Sequence, residues 1–307
     1  MHNKIIYLFA LLILCLGQFA AYAQPKDQPA SNDKWMRVQS DNGEFLIETP
    51  RKYKFYSNEI GFLDSKGVGN YPVTNMKMLN AFHAGSLLSF EIYKADKDIL
   101  DSMFERDSFR KESAKVSNLK RNGYTIKQLA LQNAQSYTIR YYFRSKKYIY
   151  VVTAAARSGE TPEMRYFLDS IVFKPDTKEA PAPNAFRVSD LEMTEIEVEV
   201  KPDPTEIIQN SDNQKPAQGG FPLTIVLKPK TVYVDEARKK GVTGTIRLRI
   251  IFAEDGYIST IVVTRSLPNG LLRQALFAAI RIKFLPKVEN GVAVSKELSV
   301  EYGFDIY

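Results

Sequence analysis

The sequence predicts an α+β protein with two folded parts. The first is an N-terminal α+β sandwich-like domain with an antiparallel sheet, and the second is a small C-terminal domain whose antiparallel sheet packs on one main helix. Segments with apolar residues at every second position indicate strands, and segments with helical apolar spacing indicate helices. A chain of 307 residues is long enough for two domains. Its 44% hydrophobic and 25% charged residues are typical of globular proteins.

The beginning of the chain has the pattern of an export signal. Lys4 precedes an uncharged stretch from Ile5 to Ala23 that ends in Ala-Tyr-Ala. We therefore predict a signal peptide at 1–23, a tether at 24–34 and a periplasmic location. The stretch is also just long enough to span a bilayer. An uncleaved anchor in the inner membrane, facing the periplasm, is therefore the alternative, and contact with the membrane is expected only in that case.

Composition excludes several kinds of chemistry. Cys15 is the only cysteine and lies in the signal segment, so disulfides, thiolate catalysis and cysteine-based zinc sites are not expected in the mature chain. His83 is then the only histidine, and no Gly-x-Ser-x-Gly motif accompanies it. We predict no enzyme activity, no metal and no cofactor. The export signal and the mild positive charge argue against a nucleic-acid partner.

Residues 35–175 are predicted to form the N-terminal domain. A strand pair with Asp41-Asn42-Gly43 as its turn begins the domain. A helical region over Asp98–Arg121 follows and is expected to end at Asn122-Gly123. A tyrosine-rich hairpin between Ala134 and Ala154, a short helix over Thr161–Leu168 and a last strand complete it. Phe45-Leu46-Ile47-Glu48-Thr49-Pro50, the hairpin and Ser170-Ile171-Val172-Phe173 resemble PsbP-like α+β domains, from which we transfer no function.

Residues 176–221 are predicted to be a Pro-rich linker. Five prolines punctuate the segment, and Gly219-Gly220 stands near its end. Within it, Thr194–Val200 alternates well enough to be a strand. The sequence leaves open which of the two domains this strand would join.

Residues 222–307 are predicted to form the C-terminal domain. A short helix over Val234–Lys240 precedes strands at Gly244–Phe252 and Tyr257–Arg265. Asn269 is expected to cap the main helix, which runs to about Ile282 and is ended by Phe284-Leu285-Pro286. After a turn at Asn290-Gly291, a strand follows over Lys296–Tyr307.

This domain resembles the C-terminal domain of TonB. The order and spacing of its motifs match the family pattern: Ala237-Arg238, Gly241, Gly244-Thr245-Ile246, Asp255-Gly256, Ser266-Leu267-Pro268, Ala275 with Ala278-Ala279, Phe284-Leu285-Pro286, Gly291 and Tyr302-Gly303-Phe304. Tyr233-Val234 stands where the family has Tyr-Pro. A TonB energy transducer also has an uncleaved anchor and a long Pro-rich spacer, so the resemblance does not imply coupling to the proton-motive force here.

The resemblance implies a binding site at the edge of the sheet. In the family, a short segment of an outer-membrane receptor adds to this domain as an extra strand. The matching edge residues here are Glu297, Ser299, Glu301, Gly303 and Phe304. A strand covered by its own neighbour, or by a second copy of the chain in a homodimer, is the equal alternative. Arg247 and Arg249 are expected on the solvent face of their strand.

Three hypotheses about function follow. The first is an exported interaction protein whose TonB-like domain binds another envelope protein, such as an outer-membrane TonB-dependent receptor. The second is a membrane-anchored energy transducer. The third is a periplasmic carrier or sensor that holds a small ligand in the N-terminal domain, near its tyrosine-rich hairpin.

Overall fold

The structure is a computed structural model that describes residues 35–57, 73–95, 100–108, 114–145, 147–173, 184–194, 196–201 and 220–305. The predicted signal peptide and tether, residues 1–34, lie outside this part of the chain. Within it the protein is α+β and sheet-rich, as the sequence predicts.

In the described residues, two sheets and two helices form the N-terminal part. Its strands are β1 (Trp35–Gln39), β2 (Phe45–Pro50), β3 (Lys54–Ser57), β4 (Val73–His83), β5 (Ser86–Ala95), β6 (Ala114–Arg121), β7 (Tyr124–Gln132), β8 (Tyr137–Arg144), β9 (Tyr148–Ala156) and β10 (Val172–Phe173), and its helices are α1 (Leu100–Ser108) and α2 (Pro162–Asp169). Seven strands form an antiparallel sheet in the order β3-β4-β5-β9-β8-β7-β6, and β10, β2 and β1 belong to a second sheet.

The main core of this part lies between the two sheets and α2. Many of its side chains are aromatic: the ring centroids of Phe45 and Phe90 are 4.7 Å apart, and Phe143 stacks on Tyr150 at 4.9 Å. Helix α2 begins as the sequence predicts, because the Thr161 side chain accepts a hydrogen bond from the Met164 N–H at 3.1 Å. The tyrosine-rich hairpin is β8–β9, at the centre of the larger sheet.

The prediction of helix over Asp98–Arg121 is wrong for its second half. Helix α1 ends at Ser108, and β6 pairs antiparallel with β7 over eight residue pairs. Asn122 and Gly123, predicted to end a helix, have φ of 48° and 84° and form the two-residue turn between these strands. The antiparallel pairing of β6 with β7 therefore determines the structure here, although the spacing of apolar residues favours a helix.

The segment between the two parts adds a strand to each of them. β11 (Ala185–Arg187) pairs in parallel with β1, and a 3₁₀ turn over Val188–Asp190 follows. β12 (Glu197–Val200) pairs in parallel with a strand of the C-terminal sheet. The strand that the sequence left unassigned thus joins the C-terminal part.

The C-terminal part contains one four-stranded sheet and two short strand pairs. Its elements are β13 (Thr224–Leu227), α3 (Asp235–Lys239), β14 (Gly244–Phe252), β15 (Ile258–Arg265), α4 (Leu271–Ala279), β16 (Lys283–Leu285), β17 (Lys287–Glu289), β18 (Val292–Val294) and β19 (Lys296–Phe304). The sheet has the order β12-β15-β14-β19, while β13 pairs with β16 and β17 with β18. One face of the sheet packs on α4, as predicted.

Two local predictions in the C-terminal part are wrong. The N-cap position of α4 is Gly270, with φ of 81°, and the Asn269 side chain instead accepts a hydrogen bond from Lys240 at 3.0 Å. The helix ends at Ala279 and not at about Ile282, and Phe284 and Leu285 follow it in β16, paired with β13.

Helix α4 also joins the two parts of the molecule. Its inner side packs on the C-terminal sheet, whereas Phe277 belongs to a cluster with Tyr56, Met78 and Tyr142 of the larger N-terminal sheet. A second contact lies nearby, where the Arg157 side chain donates a hydrogen bond to Thr224 Oγ1 at 3.0 Å. The described contacts therefore dock the C-terminal part on the outer face of the N-terminal sheet.

Candidate functional site

β19 is the terminal strand of the C-terminal sheet in the part of the chain that the structure describes. It pairs with β14 over nine residue pairs, from Gly244–Phe304 to Phe252–Lys296, without a bulge. On the opposite side of the sheet, β12 covers β15. The side of β19 that faces away from β14, along residues 297–304, is called the β19 edge below.

Backbone geometry shows which residues face the β19 edge. The carbonyl of Arg247 accepts a hydrogen bond from Thr264 of β15 at 3.2 Å, so this residue turns its backbone groups away from β19. Its register partner is Glu301, whose carbonyl accepts a hydrogen bond from the Lys228 side chain at 2.8 Å. The backbone groups of Glu301 therefore point outward, and alternation along the strand directs those of Glu297, Ser299 and Gly303 the same way.

Side chains of β19 divide between the core and the solvent face. Tyr302 and Phe304 are buried under α4, and the ring of Phe304 lies 5.8 Å from that of Tyr233. On the other face Glu301 pairs with Arg247 at 2.7 Å, and Glu297 pairs with Arg249 at 3.7 Å. Four of the five predicted edge residues thus share one backbone direction, while Phe304 lies in the core.

The ion pairs on the solvent face explain the two arginines of β14. Arg247 and Arg249 lie on this face, as the sequence predicts. Arg247 meets its register partner Glu301, whereas Arg249 meets Glu297 diagonally. Cross-strand pairs of opposite charge contribute roughly 0.2–1 kcal/mol each. They align β19 on β14 through side chains and not through its outward backbone groups.

A cleft lies beside one end of the β19 edge. Its volume is about 500 Å³, and it separates residues 228–233 from residues 301–305. The Lys228 ammonium group lies 4.9 Å from the centroid of the Tyr302 ring. It also donates the hydrogen bond to the Glu301 carbonyl. Burial lowers the pKa of Lys228, and Glu301 partly offsets this effect. Sequence reasoning missed Lys228, because its side chain meets β19 across 73 residues of chain.

A buried charged cluster lies where the two parts of the molecule meet. It consists of Glu91 and Tyr93 of β5 with Arg281 and Lys283, and we call it the Glu91 cluster. Lys283 Nζ lies 3.0 Å from Glu91 Oε1, and both side chains are at most 1% exposed. Arg281 Nε donates to Tyr93 Oη at 3.0 Å, and Tyr93 donates to Glu91.

The cations around Glu91 stabilise its carboxylate. Burial alone raises the pKa of Glu91, but the charges of Lys283, Arg281 and Arg140 and the hydrogen bond from Tyr93 together outweigh burial and lower it to about 2. Burial lowers the pKa of Lys283 to about 8, although Glu91 acts in the opposite direction. Lys283 also contacts Met78 and Asn80 of the N-terminal sheet. No signal in the sequence pairs these residues, because they are almost two hundred positions apart.

The described residues contain no candidate metal site. No group of three or more His, Cys, Asp or Glu side chains stands close enough to hold an ion in this part of the chain. Among the helices that the structure describes, none has the length and apolar character needed to cross a membrane.

Comparison with known proteins identifies the C-terminal part. Residues 229–306 match the family model described as Gram-negative bacterial TonB protein C-terminal. The solution structure of the TonB CTD of Pseudomonas aeruginosa is similar, at 25% identity over 27% of this chain and 86% of that one, with a TM-score of 0.25. A crystal structure from Bacteroides thetaiotaomicron VPI-5482 matches at 8% identity over 47% of this chain and 50% of that one, with a TM-score of 0.29. No curated protein matches the chain.

Proposed function

Because residues 229–306 belong to the TonB C-terminal domain family, we propose that this chain is an exported, non-enzymatic interaction protein of the cell envelope. Domains of this family take part in interactions between envelope proteins. The chain binds an extended segment of another envelope protein, in relation to TonB-type transport across the outer membrane. The segment adds as a fifth strand at the β19 edge, and an outer-membrane receptor is the first partner to test.

The single observation that carries this proposal is the position of β19. It is one of the two terminal strands of the described sheet, and its 9 residues offer a longer edge than the 4 residues of β12 at the other side. Outward-facing N–H and C=O groups along an edge strand are a template for a further strand. Among the described residues, the segment 228–233 lies beside the Glu301 end of β19 with a cleft between them, which supports binding of a partner there.

No observation on the described residues supports the carrier or the anchored transducer as well as β19 supports strand addition. In the N-terminal part the rings of Phe143, Tyr150 and Phe173 pack against each other between the sheets, where the carrier hypothesis places a ligand. The anchor would lie within residues 1–34, outside the described part. Sequencing the N-terminus of the purified protein separates the two forms, since a start at Gln24 supports export and a start at Met1 supports an anchor.

A proline placed on the β19 edge tests strand addition. Glu301→Pro removes an outward N–H group without touching the hydrogen bonds to β14, and proline is tolerated at edge strands. We expect it to weaken capture of an envelope partner by the full chain about tenfold, since a strand hydrogen bond is lost and the added strand is obstructed. Pull-down from solubilised envelopes, with quantitative mass spectrometry, measures this.

Two controls make the result specific. Glu301→Gln removes the same charge but keeps the N–H group, so it should retain the partner. Val200→Pro alters the outer side of β12, because Lys201 N bonds to Val263 O and the neighbouring residue faces away from β15. Two results would rule out strand addition at β19. One is an equal loss of partner capture with all three variants, and the other is unchanged partner capture by Glu301→Pro.

A further inference from the structure

The C-terminal sheet has one end on the N-terminal part and the other end away from it. At the docked end, the turn between β14 and β15 lies so close to β4 that a Cβ atom on Gly256 would be 2.8 Å from Phe82 Cβ. Lys54 of β3 also pairs with Asp255 of this turn at 3.9 Å. β14 begins at Gly244 and reaches the turn 9 residues later, so the two ends are about 30 Å apart. The N-terminal contacts of this turn therefore leave the far end of the sheet accessible.

Helix α3 and the connection from β15 to α4 form the far end. Lys240 Nζ donates a hydrogen bond to Asn269 Oδ1 at 3.0 Å, which holds the end of α3 against this connection. Arg265 is the last residue of β15, and Arg273 lies in the first turn of α4. We call α3 with Lys240, together with residues 265–273, the basic end.

Three cations of the basic end have no carboxylate to offset them. The side chains of Lys239, Arg265 and Arg273 are exposed, and none of them forms an ion pair within the described part of the chain. The only acidic residues of the basic end belong to α3, and they are already paired with Arg238 and with Lys240, at 3.8 and 2.8 Å. The end therefore presents an excess of positive charge to solvent.

The arrangement of these cations favours an extended anionic surface over a small ligand. The cleft beside β19 is lined by residues of 228–233 and 301–305, and none of the three cations belongs to it. Guanidinium and ammonium groups pair well with phosphate. Near an anionic membrane, each such group increases binding about fivefold. Lipid headgroups move within the plane of a membrane, so their phosphates can match cations that stand on separate elements.

We propose that the basic end is an interaction surface for the phosphate headgroups of an anionic membrane, with Lys239, Arg265 and Arg273 as its main contacts. In an exported chain, the partner is a membrane of the envelope. The proposal goes beyond the binding of an envelope protein at the β19 edge and uses different residues. Only the export of the chain is common to both.

Binding of the full chain to vesicles tests the proposal. The probes are vesicles of phosphatidylcholine alone and vesicles of equal parts phosphatidylcholine and phosphatidylglycerol, and sedimentation measures the bound fraction. We expect the anionic vesicles to bind the chain more tightly, and added salt to reduce the difference. The stretch Ile5–Ala23 is uncharged, so the difference between the two kinds of vesicle reports the charged contact.

A triple variant assigns the contact to the basic end. Replacement of Lys239, Arg265 and Arg273 by Gln should weaken binding to the anionic vesicles about a hundredfold, because three contributions of about fivefold are lost. Since these side chains are exposed, urea denaturation should give nearly the same free energy of unfolding for the variant and the unaltered chain.

A matched variant separates the basic end from net charge. Lys52→Gln, Lys115→Gln and Lys120→Gln remove the same charge from exposed positions of the N-terminal part, and this variant should bind much like the unaltered chain. Equal binding of the unaltered chain to both kinds of vesicle, or equal losses in the two triple variants, would overturn the proposal.

Two further measurements distinguish the alternatives. Binding to immobilised polyglutamate without binding to vesicles would also overturn the proposal, and would assign the basic end to an acidic protein instead. Glu301→Pro should bind the vesicles like the unaltered chain, because the outward backbone of β19 takes no part. Vesicle binding and strand addition can therefore fail independently of each other.

Discussion

Lys283 and Glu91 form an ion pair that water does not reach. Their atoms are 3.0 Å apart, and each side chain is at most 1% exposed. A buried pair contributes little net stability by itself, because desolvation offsets the attraction, but removal of one partner leaves an uncompensated charge. The pair therefore contributes more to the relative orientation of the two parts of the molecule than to the free energy of unfolding.

Lys283→Met should destabilise the protein strongly. It leaves the Glu91 carboxylate buried without its closest cation, at a cost of about 3–5 kcal/mol in free energy of unfolding. The double variant Glu91→Gln with Lys283→Met should lose clearly less, and urea denaturation measures both. Lys240→Met is the control: its partner Glu236 is 65% exposed, so we expect a change below about 1 kcal/mol. Equal losses in the single and double variants would contradict this account.

Stability should also fall in acid because of Glu91. Its pKa is about 2 in the folded protein, against an ordinary value of 4.5. Between these values the unfolded chain binds a proton that the folded chain does not, so the stabilisation present above pH 4.5 is lost as the pH falls towards 2. The double variant Glu91→Gln with Lys283→Met lacks the Glu91 carboxylate, so its free energy of unfolding should fall less as the pH decreases. Denaturation curves at several pH values test the slope, and parallel slopes would exclude Glu91 as the cause.

Residue positions were predictable from the sequence only where a strand pattern places them. Alternation along β19 placed Val300 and Tyr302 in the core and Glu297 and Glu301 on the other face. Lys228 and Lys283 act through contacts with distant segments, and an isolated lysine in a sequence gives no indication of such a partner.

At the level of elements, β6 shows how one dipeptide permits two structures. Asn-Gly can end a helix or form a two-residue hairpin turn, because both need positive φ. Helical spacing before Asn122 favoured the first, whereas antiparallel pairing of β6 with β7 selects the second. β14 and β15 were predicted to within a residue, since their alternation has no helical competitor.

Gly123→Ala should destabilise the β6–β7 hairpin. The glycine has φ of 84°, and a Cβ atom there would touch nothing within 4 Å, so the cost is conformational and not steric. We expect a loss of about 1 kcal/mol in free energy of unfolding. Gly303→Ala, at a strand position without positive φ, is the control and should cost less. Faster amide exchange in β6 alone would localise the effect, and unchanged exchange there would contradict it.

At the scale of the whole molecule, the structure docks two parts together that the sequence predicts as separate domains. The sequence predicts two domains and a linker over 176–221, and that division remains a prediction. Docking of α4 on the N-terminal sheet was not predictable, because Phe277 looks like any other apolar residue of an amphipathic helix. A docked C-terminal part presents the β19 edge in a fixed direction relative to the N-terminal sheet.

Phe277→Asp should separate the two parts without unfolding either. Phe277 packs on the N-terminal sheet and not in the core beneath α4, so a charge there penalises docking alone. We expect calorimetry of the full chain to change from one unfolding transition to two, and small-angle scattering to show a larger radius of gyration. Val292→Asp, at a side chain that is 64% exposed, should leave one transition. If Phe277→Asp also unfolds in one transition with an unchanged radius, docking does not depend on α4, and the fixed direction of the β19 edge must have another cause.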